Sequence, residues 1–319
     1  MVNYKKIKEV IESIPNDEQI FISGHLNPDM DSVGTSLALA RYLNSIGKSA
    51  SVLLDQDNFK ILKWFDDYAY VIDEPKLAKK EKYTFIMLDA NEKKRLGRYE
   101  KYFDNARLTI QIDHHENNDG LSNYIVVASE ISSTSEMMYS LLKLFDKGID
   151  SKIAELLYAG IVTDTKGFFQ RTSTQTFLVA SKLLEYNIDY QYITRATLKR
   201  MSYKDVVALS HAILDLEFDR GLCYIVIDDE KDYYSGLEYN AFAKLIAPFI
   251  QNIDDTDIIL AIYKSGNKIT INVRSNTDIE VTTFAGLFGG GGHKYAAGAI
   301  VYDTKVDTII ESAKKHLIK

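Results

Sequence analysis

Several short apolar runs, each stopping at a polar residue and each joined to a segment of helical period, constrain this chain more than any other feature. They are EQIFIS ending at Ser23, SVLLD at 51–55, KYTFIML at 82–88 stopping at Asp89, and a run over 108–112 stopping at Asp113. Runs of this length without polar alternation bury both faces, which favours a parallel sheet covered by helices over a half-exposed antiparallel one. The flanking segments keep the helical period, with Ile7, Val10, Ile11 and Ile14 before the first run and Val33, Leu37, Ala40 and Leu43 after it. Strand, polar loop and helix in that order open a βαβ unit. The expected N-terminal fold is therefore α/β, a mostly parallel sheet with helices on its faces.

Further along, Ser133 followed by Glu136 reads as a capping box ahead of Met137, Leu141 and Leu144. A helix over roughly 151–162 then delivers Thr163-Asp164-Thr165, and two or three more helical patterns occupy 175–214. Strands take over at 221–227, at 257–275 with Ser265-Gly266 as a hairpin turn, and at 297–302, with helices expected at 238–250 and 304–315. A chain of 319 residues exceeds the usual single domain. The expected organisation is a first domain over 1–200, a helical connector over 201–216 and a smaller mixed α+β domain over 217–319.

In open parallel sheets, ligands gather outside the carboxyl ends of the strands. Those ends carry the ionisable residues here. His25, Asp29 and Asp31 follow the first strand, Asp89 ends the KYTFIML strand, Asp113-His114-His115 ends the next, and Asp164 can approach the same edge. Imidazole together with carboxylate suits manganese, iron or zinc, whereas magnesium prefers oxygen ligands. Asp29 and Asp31 are two positions apart, so on an extended loop they diverge and can face two ions, with a carboxylate from elsewhere bridging both. Pro28 stiffens that loop. Taken alone, the segment also reads as a solvated turn with Ser32 as the helix cap. Two ions about 3.5–4 Å apart would activate a water for hydrolysis of a phosphate ester. No G-x-S-x-G segment supports a serine nucleophile.

Composition narrows the substrate. A net charge of -7 disfavours a basic face tracking long duplex DNA, and a single cysteine, Cys223, excludes intrachain disulfides and is best used as core filling. No apolar run approaches the roughly 20 residues of a membrane span and the N-terminus lacks a secretory apolar core, so a cytoplasmic location is expected. Gly289 to Gly292, followed by His293 and Lys294, would let backbone N–H groups approach an anion, without the ending of an ATP-binding P-loop. Arg274-Ser275 ends the KITINV strand and offers a guanidinium fork for phosphate. Phe168 and Phe169 could place a base, but core packing is the expected use.

Taken together, GHLNPDMDSVG at 24–34, Asp89, the DHH run at 113–115, TDT at 163–165, RS at 274–275 and GGGGHKYAAG at 289–298 resemble the DHH phosphoesterase family. The resemblance covers almost the whole chain and is to the two-domain members with a DHH-associated C-terminal domain, such as nanoRNases and 3'-phosphoadenosine-5'-phosphate phosphatases. It implies two Mn2+ ions, with Co2+ or Mg2+ as substitutes, and a cleft between a catalytic lobe and a substrate-recognising one. It also implies His25 and Asp29 as ligands of one ion, Asp31, His114 and Asp164 as ligands of the other, and Asp89 as the bridge. Asp113 then supports the site, His115 lies near the scissile phosphate, and Arg274, Ser275, Gly291, Gly292 and His293 bind substrate. Asn27, Met30 and Thr35 depart from the commoner residues of the family and leave the metal pattern intact.

The activity so implied is that of a 3'-5' exoribonuclease. It would cut short single-stranded RNA or linear dinucleotides such as pApA to mononucleotides, and would also act on 3'-phosphoadenosine-5'-phosphate. Single-stranded DNA exonuclease and cyclic-dinucleotide phosphodiesterase are the enzyme alternatives. A nucleotide-binding sensor is the non-enzyme one. No membrane or obligate protein partner is expected, and a homodimer stays open.

Overall fold

The computed structural model describes residues 3–54, 70–75, 82–115, 119–146, 148–198, 203–235, 246 and 249–318. The chain divides into two compact units, Met1–Arg200 and Met201–Lys319.

The first unit is built on a six-stranded sheet of β1 (Gln19–Ser23), β2 (Ser49–Leu53), β3 (Val71–Ile72), β4 (Tyr83–Leu88), β5 (Leu108–Asp113) and β6 (Tyr124–Val127). Its order is β3-β2-β1-β4-β5-β6 and every pairing is parallel. The chain winds outward from β1 to β3 and then returns to β4, so the direction of winding reverses between β1 and β4, the place where such sheets hold ligands. All six residues of β4 are buried, as its unbroken apolar run requires. The edge strand β6 buries only Val126 completely, and β3 is two residues long; neither carries enough apolar pattern to stand out in the sequence.

Helix α1 (Tyr4–Ser13) buries Ile7, Val10 and Ile11 on one face. In contrast, α2 (Met30–Ser45) is buried on almost every side, because the sheet lies on one flank and α5 (Ser151–Asp164) on another. Gly34 permits that approach: a Cβ there would come within 2.6 Å of the Leu156 carbonyl oxygen. Between α2 and α5 in sequence lie α3 (Glu100–Asp104) and α4 (Thr134–Leu142), and α6 (Thr174–Leu184) and α7 (Tyr190–Leu198) follow. The cap of α4 corrects the sequence reading in part. Ser133 Oγ accepts the Glu136 N–H at 3.1 Å, but the Glu136 carboxylate accepts from Ser132 Oγ and, at 2.9 Å, from Thr176 Oγ1. The reciprocal box is found further on, between Ser173 and Thr176 at the start of α6.

In the second unit, α8 (Tyr203–Leu214) precedes β7 (Glu217–Asp219), β8 (Leu222–Asp228), β9 (Ile258–Ser265), β10 (Lys268–Ser275), β11 (Gly291–His293) and β12 (Ala296–Tyr302). The sheet order is β11-β12-β10-β9-β8-β7, with β8 and β9 parallel and the other pairs antiparallel. Ser265 pairs with Lys268, so the hairpin turn is Gly266-Asn267, one residue beyond the expected Ser265-Gly266. Gly266 has φ +56, suited to the first central position of a II′ turn. Side chains alternate along β8. Leu222 and Tyr224 face Ile309, Ala313 and Leu317 of the C-terminal helix Val306–Leu317, whereas Cys223 and Ile225 share a core with Ala208, Leu209 and Ala212 of α8. Cys223 is buried and free. The helix expected at 238–250 falls mainly outside the described residues. Among the described residues, no helix is long and apolar enough to cross a membrane.

Candidate active site

Adjacent strand ends assemble most of the site. β1 runs into His25, β4 into Asp89 and β5 ends at Asp113. Leu88 lies opposite Ile112, and the Asp89 N–H donates to the Ile112 carbonyl at 3.1 Å, so Asp89 and the Asp113-His114-His115 run leave the sheet side by side. Asp89 has φ +54, a left-handed conformation that turns the chain out of the strand at that carboxylate. Asp164 enters as the last residue of α5, and Asp29 and Asp31 flank the start of α2.

Each oxygen of Asp89 faces a different imidazole. Oδ2 is 3.5 Å from His25 Nε2 and Oδ1 is 3.5 Å from His114 Nε2. Around that carboxylate the ligand-type atoms fall into two principal groups, His25/Asp29/Asp89 and Asp31/His114/Asp164, each with its atoms within 4.8 Å of one another. A third set of the same compactness joins Asp89 to His114 and His115. The Nδ1 of His25 is 2.7 Å from the Leu26 carbonyl, to which it donates, so Nε2 is the ring nitrogen turned towards Asp89.

Asp29 combines the two roles that the sequence reading set against each other. Its Oδ1 accepts the N–H groups of Asp31 at 3.0 Å and Ser32 at 3.2 Å, so Asp29, instead of Ser32, caps α2. Asp31 is 1% exposed and lies across the N-terminus of α4: Oδ2 accepts the Thr134 N–H and Oδ1 the Ser135 N–H, both at 2.8 Å. Thr134 Oγ1 donates to Asp89 Oδ1 at 3.0 Å. Sequence reasoning overlooks Thr134 and Ser135, for which the hydroxyl-rich start of α4 is the only signal. Gly160 of α5 provides the room, since a Cβ there would sit 2.0 Å from Ser135 Oγ and 2.8 Å from Asp31 Oδ1.

The electrostatics test whether a divalent cation suits this pocket. Burial, with Asp164 nearby, pushes the Asp31 carboxyl up to about 6. Burial and the charges of Asp31 and Asp29 hold Asp89 well above the usual carboxylate range, and burial with Asp29 raises Asp164. Burial lowers His114, keeping its imidazole neutral and able to ligate. Asp164 Oδ2 is buried without a hydrogen-bond partner. Carboxylates packed this closely, one of them with an unpartnered oxygen, are costly on their own, and the oxygen and nitrogen donor set fits divalent transition ions, whose charge would offset that cost.

His115 is arranged differently. Its Nδ1 is 2.7 Å from Asp113 Oδ1, and that hydrogen bond raises its pKa. Asp113 is fully buried and contacts His115, the half-exposed imidazole of the pair.

In the second unit, Arg274 pairs with Ala296, which pairs on its other side with His293. Register places the three in a row across β10, β12 and β11, so Arg274 and His293 share one sheet face about 10 Å apart, with only alanine between them. All three are exposed. Ser275 Oγ is engaged in a local turn, donating to the Thr277 carbonyl at 2.9 Å and accepting its N–H at 3.1 Å. The last two glycines of the run, Gly291 and Gly292, form the edge strand β11 with His293. A Cβ at Gly292, where φ is +149, would lie 2.6 Å from the Ala296 carbonyl oxygen, and one at Gly290 would lie 2.1 Å from that of Gly298.

The parallel sheet of the first unit, with imidazoles and carboxylates clustered at its strand ends, defines a metal-dependent hydrolase of the phosphoesterase class. The chain belongs to the DHH family: residues 19–161 match the DHH family N-terminal domain and residues 224–319 match the DHHA1 domain. It is 25% identical over 314 residues to a probable bifunctional oligoribonuclease and PAP phosphatase NrnA from Streptococcus mutans, covering 98% of this chain and 99% of that protein. It is also 26% identical to a membrane protein-large ribosomal subunit bL9 fusion protein from Aster yellows witches'-broom phytoplasma. That alignment covers all of this chain but only 38% of the longer protein. Among solved structures, an exopolyphosphatase-related protein from Bacteroides fragilis shares the fold with a TM-score of 0.77 at 22% identity, over 98% of this chain and 95% of that one.

Proposed function

We propose that the chain is a manganese-dependent phosphodiesterase that cuts very short single-stranded RNA, or linear dinucleotides such as pApA, to mononucleotides, and also hydrolyses 3'-phosphoadenosine-5'-phosphate. The observation that carries the reading is Asp89, with one carboxylate oxygen towards His25 and the other towards His114. The name of the Streptococcus mutans relative supports the substrate class. The net charge of -7 does too, because a short substrate needs a small phosphate site and no long basic track.

In this reading His25, Asp29 and Asp89 would hold one ion, and Asp31, His114 and Asp164, together with Asp89, would hold the other. Such a pair, when bound, would supply an activated water and stabilise charge on the leaving oxygen. Thr134 and the α4 N-terminus fix the Asp89 and Asp31 carboxylates against rotation. Asp113 keeps His115 protonated at Nδ1 and raises its pKa, so the imidazolium can donate from Nε2 to a phosphate oxygen or to the leaving group. Arg274, with His293 two strands away on the same face, binds a terminal phosphate through the guanidinium fork, and the glycines bring β11 close enough to form that face.

The direct test is purified protein with Mn2+, given pApA, RNA of two to ten residues, long single-stranded DNA, cyclic dinucleotides and 3'-phosphoadenosine-5'-phosphate, with products resolved by chromatography. Mononucleotides should appear fastest from pApA and the shortest RNA. Preference for long DNA or cyclic dinucleotides, or no hydrolysis of any of them, would overturn the reading.

Asp113→Asn should lower kcat about 10–100-fold, the usual weight of a residue that orients another. The pKa of His115 should fall with the loss of its carboxylate. A step that needs the imidazolium then fails at lower pH, so the alkaline limb of the rate profile should move down. An unmoved limb would remove Asp113 from this role.

Arg274→Ala should reduce kcat/KM about tenfold or more for short RNA bearing a 5'-phosphate, the weight of one charge-assisted fork. The loss should be smaller for the same RNA with a 5'-hydroxyl. Equal proportional losses on both would assign Arg274 to the domain surface alone.

A further inference from the structure

The loop that leaves Asp164 separates two adjacent phenylalanines. Phe168 packs against the main core and stacks on Phe177 at 5.5 Å between ring centroids, whereas Phe169 is 79% exposed, against the core packing expected for both. A single exposed aromatic residue is unremarkable. Its setting is less ordinary. Lys166, Phe168 and Arg171 all take left-handed φ values, +52, +68 and +53, costly for residues with side chains and tolerated where the surroundings impose them. The fold holds the loop tightly. Thr165, fully buried, accepts the Phe168 N–H on its hydroxyl at 3.0 Å and the N–H groups of Phe169 and Gln170 on its carbonyl at 2.9 Å each.

Arg171 lies at the end of this loop, beside the ion-binding cluster. Among the described residues its guanidinium makes one hydrogen bond, to the Ser129 carbonyl at 3.4 Å, two residues before Ile131, whose carbonyl faces His114 Nδ1. Its positive charge is felt at both His114 and Asp164. A cationic fork with unspent donors and an exposed ring, presented by one rigid loop at the edge of a phosphate-hydrolysing centre, match the two chemistries of a nucleotide: anionic phosphate and flat base.

We propose that the Lys166–Arg171 loop is a nucleotide subsite of this centre, where Phe169 stacks on a base of the single-stranded substrate and Arg171 contacts the adjoining phosphate. The proposal rests on the phosphodiesterase reading above and adds how a base is held. Rigid presentation of the ring spares the ordering cost of a mobile one, so its removal should appear in binding more than in the chemical step.

The experiment uses the full chain with Mn2+ and two dinucleotides that differ only in whether one base is replaced by hydrogen, each base position tested in turn. Phe169→Ala should raise KM for the complete dinucleotide about tenfold, the usual weight of one stacked base. At one of the two positions, the abasic dinucleotide should show less than a twofold change. Phe169→Trp should restore the KM of the complete dinucleotide. Arg171→Ala should raise KM for both substrates, and Arg171→Lys should recover only part of it, because a lysine has no fork. Thermal melts of the variants should match the unaltered protein, since an exposed ring contributes little to the core. Equal losses on complete and abasic substrates, or failure of Trp to restore binding, would overturn the subsite while leaving the phosphodiesterase reading intact. If the unaltered protein hydrolyses neither dinucleotide, the parent reading fails instead.

Discussion

Asp89→Asn should lower turnover on the order of 10³-fold or more and leave the purified protein with fewer than two tightly held Mn2+ ions. That exceeds the about 10–100-fold typical of residues that only orient a ligand. The expectation follows from the two short approaches to His25 and His114, one per carboxylate oxygen. An amide keeps the shape and the Thr134 contact on its oxygen, but it loses the charge and offers NH2 where a lone pair is needed. Both candidate ion positions should therefore weaken together, whereas Asp29→Asn or Asp164→Asn should weaken one. Elemental analysis after gel filtration, paired with single-turnover rates, measures both effects. Two retained ions with near-normal turnover would show that Asp89 bridges nothing.

Gly160→Ala is the second large effect, and it arises in a residue with no chemistry of its own. On helix propensity alone, alanine in the middle of α5 should stabilise by up to about 1 kcal/mol. The added Cβ, however, would stand 2.0 Å from Ser135 Oγ and 2.8 Å from Asp31 Oδ1. Ser135 is fully buried, its hydroxyl is 2.8 Å from Thr35 Oγ1, and its N–H is one of the two that fix Asp31. Either the Ser135 side chain gives up its partner or α5 retreats and carries Asp164 with it. We expect a loss of about 1–3 kcal/mol in stability, the range for overpacked cores, and a fall in Mn2+ affinity and kcat of about 10–100-fold. Combining Gly160→Ala with Ser135→Ala removes the closer clash and should recover part of both. A single variant that melts higher than the unaltered protein and keeps full activity would show that this contact is not constraining.

Much of the fold and of the site is legible in the amino-acid sequence. The runs around β1, β4 and β5 announce buried parallel strands because nothing in them alternates, and the ionisable residues directly after them follow from where such sheets bind ligands. The helical period of α5 likewise puts Asp164 at a helix terminus. The edge strands β3 and β6 escape such a reading because an edge strand buries little and so leaves little pattern. At α4 the sequence holds the right residues for a capping box, but Glu136 turns to Ser132 and Thr176, partners that its local spacing does not specify.

The sequence by itself determined the central strands, most of the helices and which residue types would stand at their ends, because periodicity, caps and short apolar runs are local properties. Only the tertiary structure decided how those ends meet. Asp31 is held by N–H groups about a hundred positions away, at Thr134 and Ser135. Asp113 pairs with His115 and not with the histidine next to it. Phe168 enters the core while Phe169 stays out. In each case the outcome depends on which donor, acceptor or cavity lies within a few ångströms after the chain has packed, and distance along the sequence carries no such information.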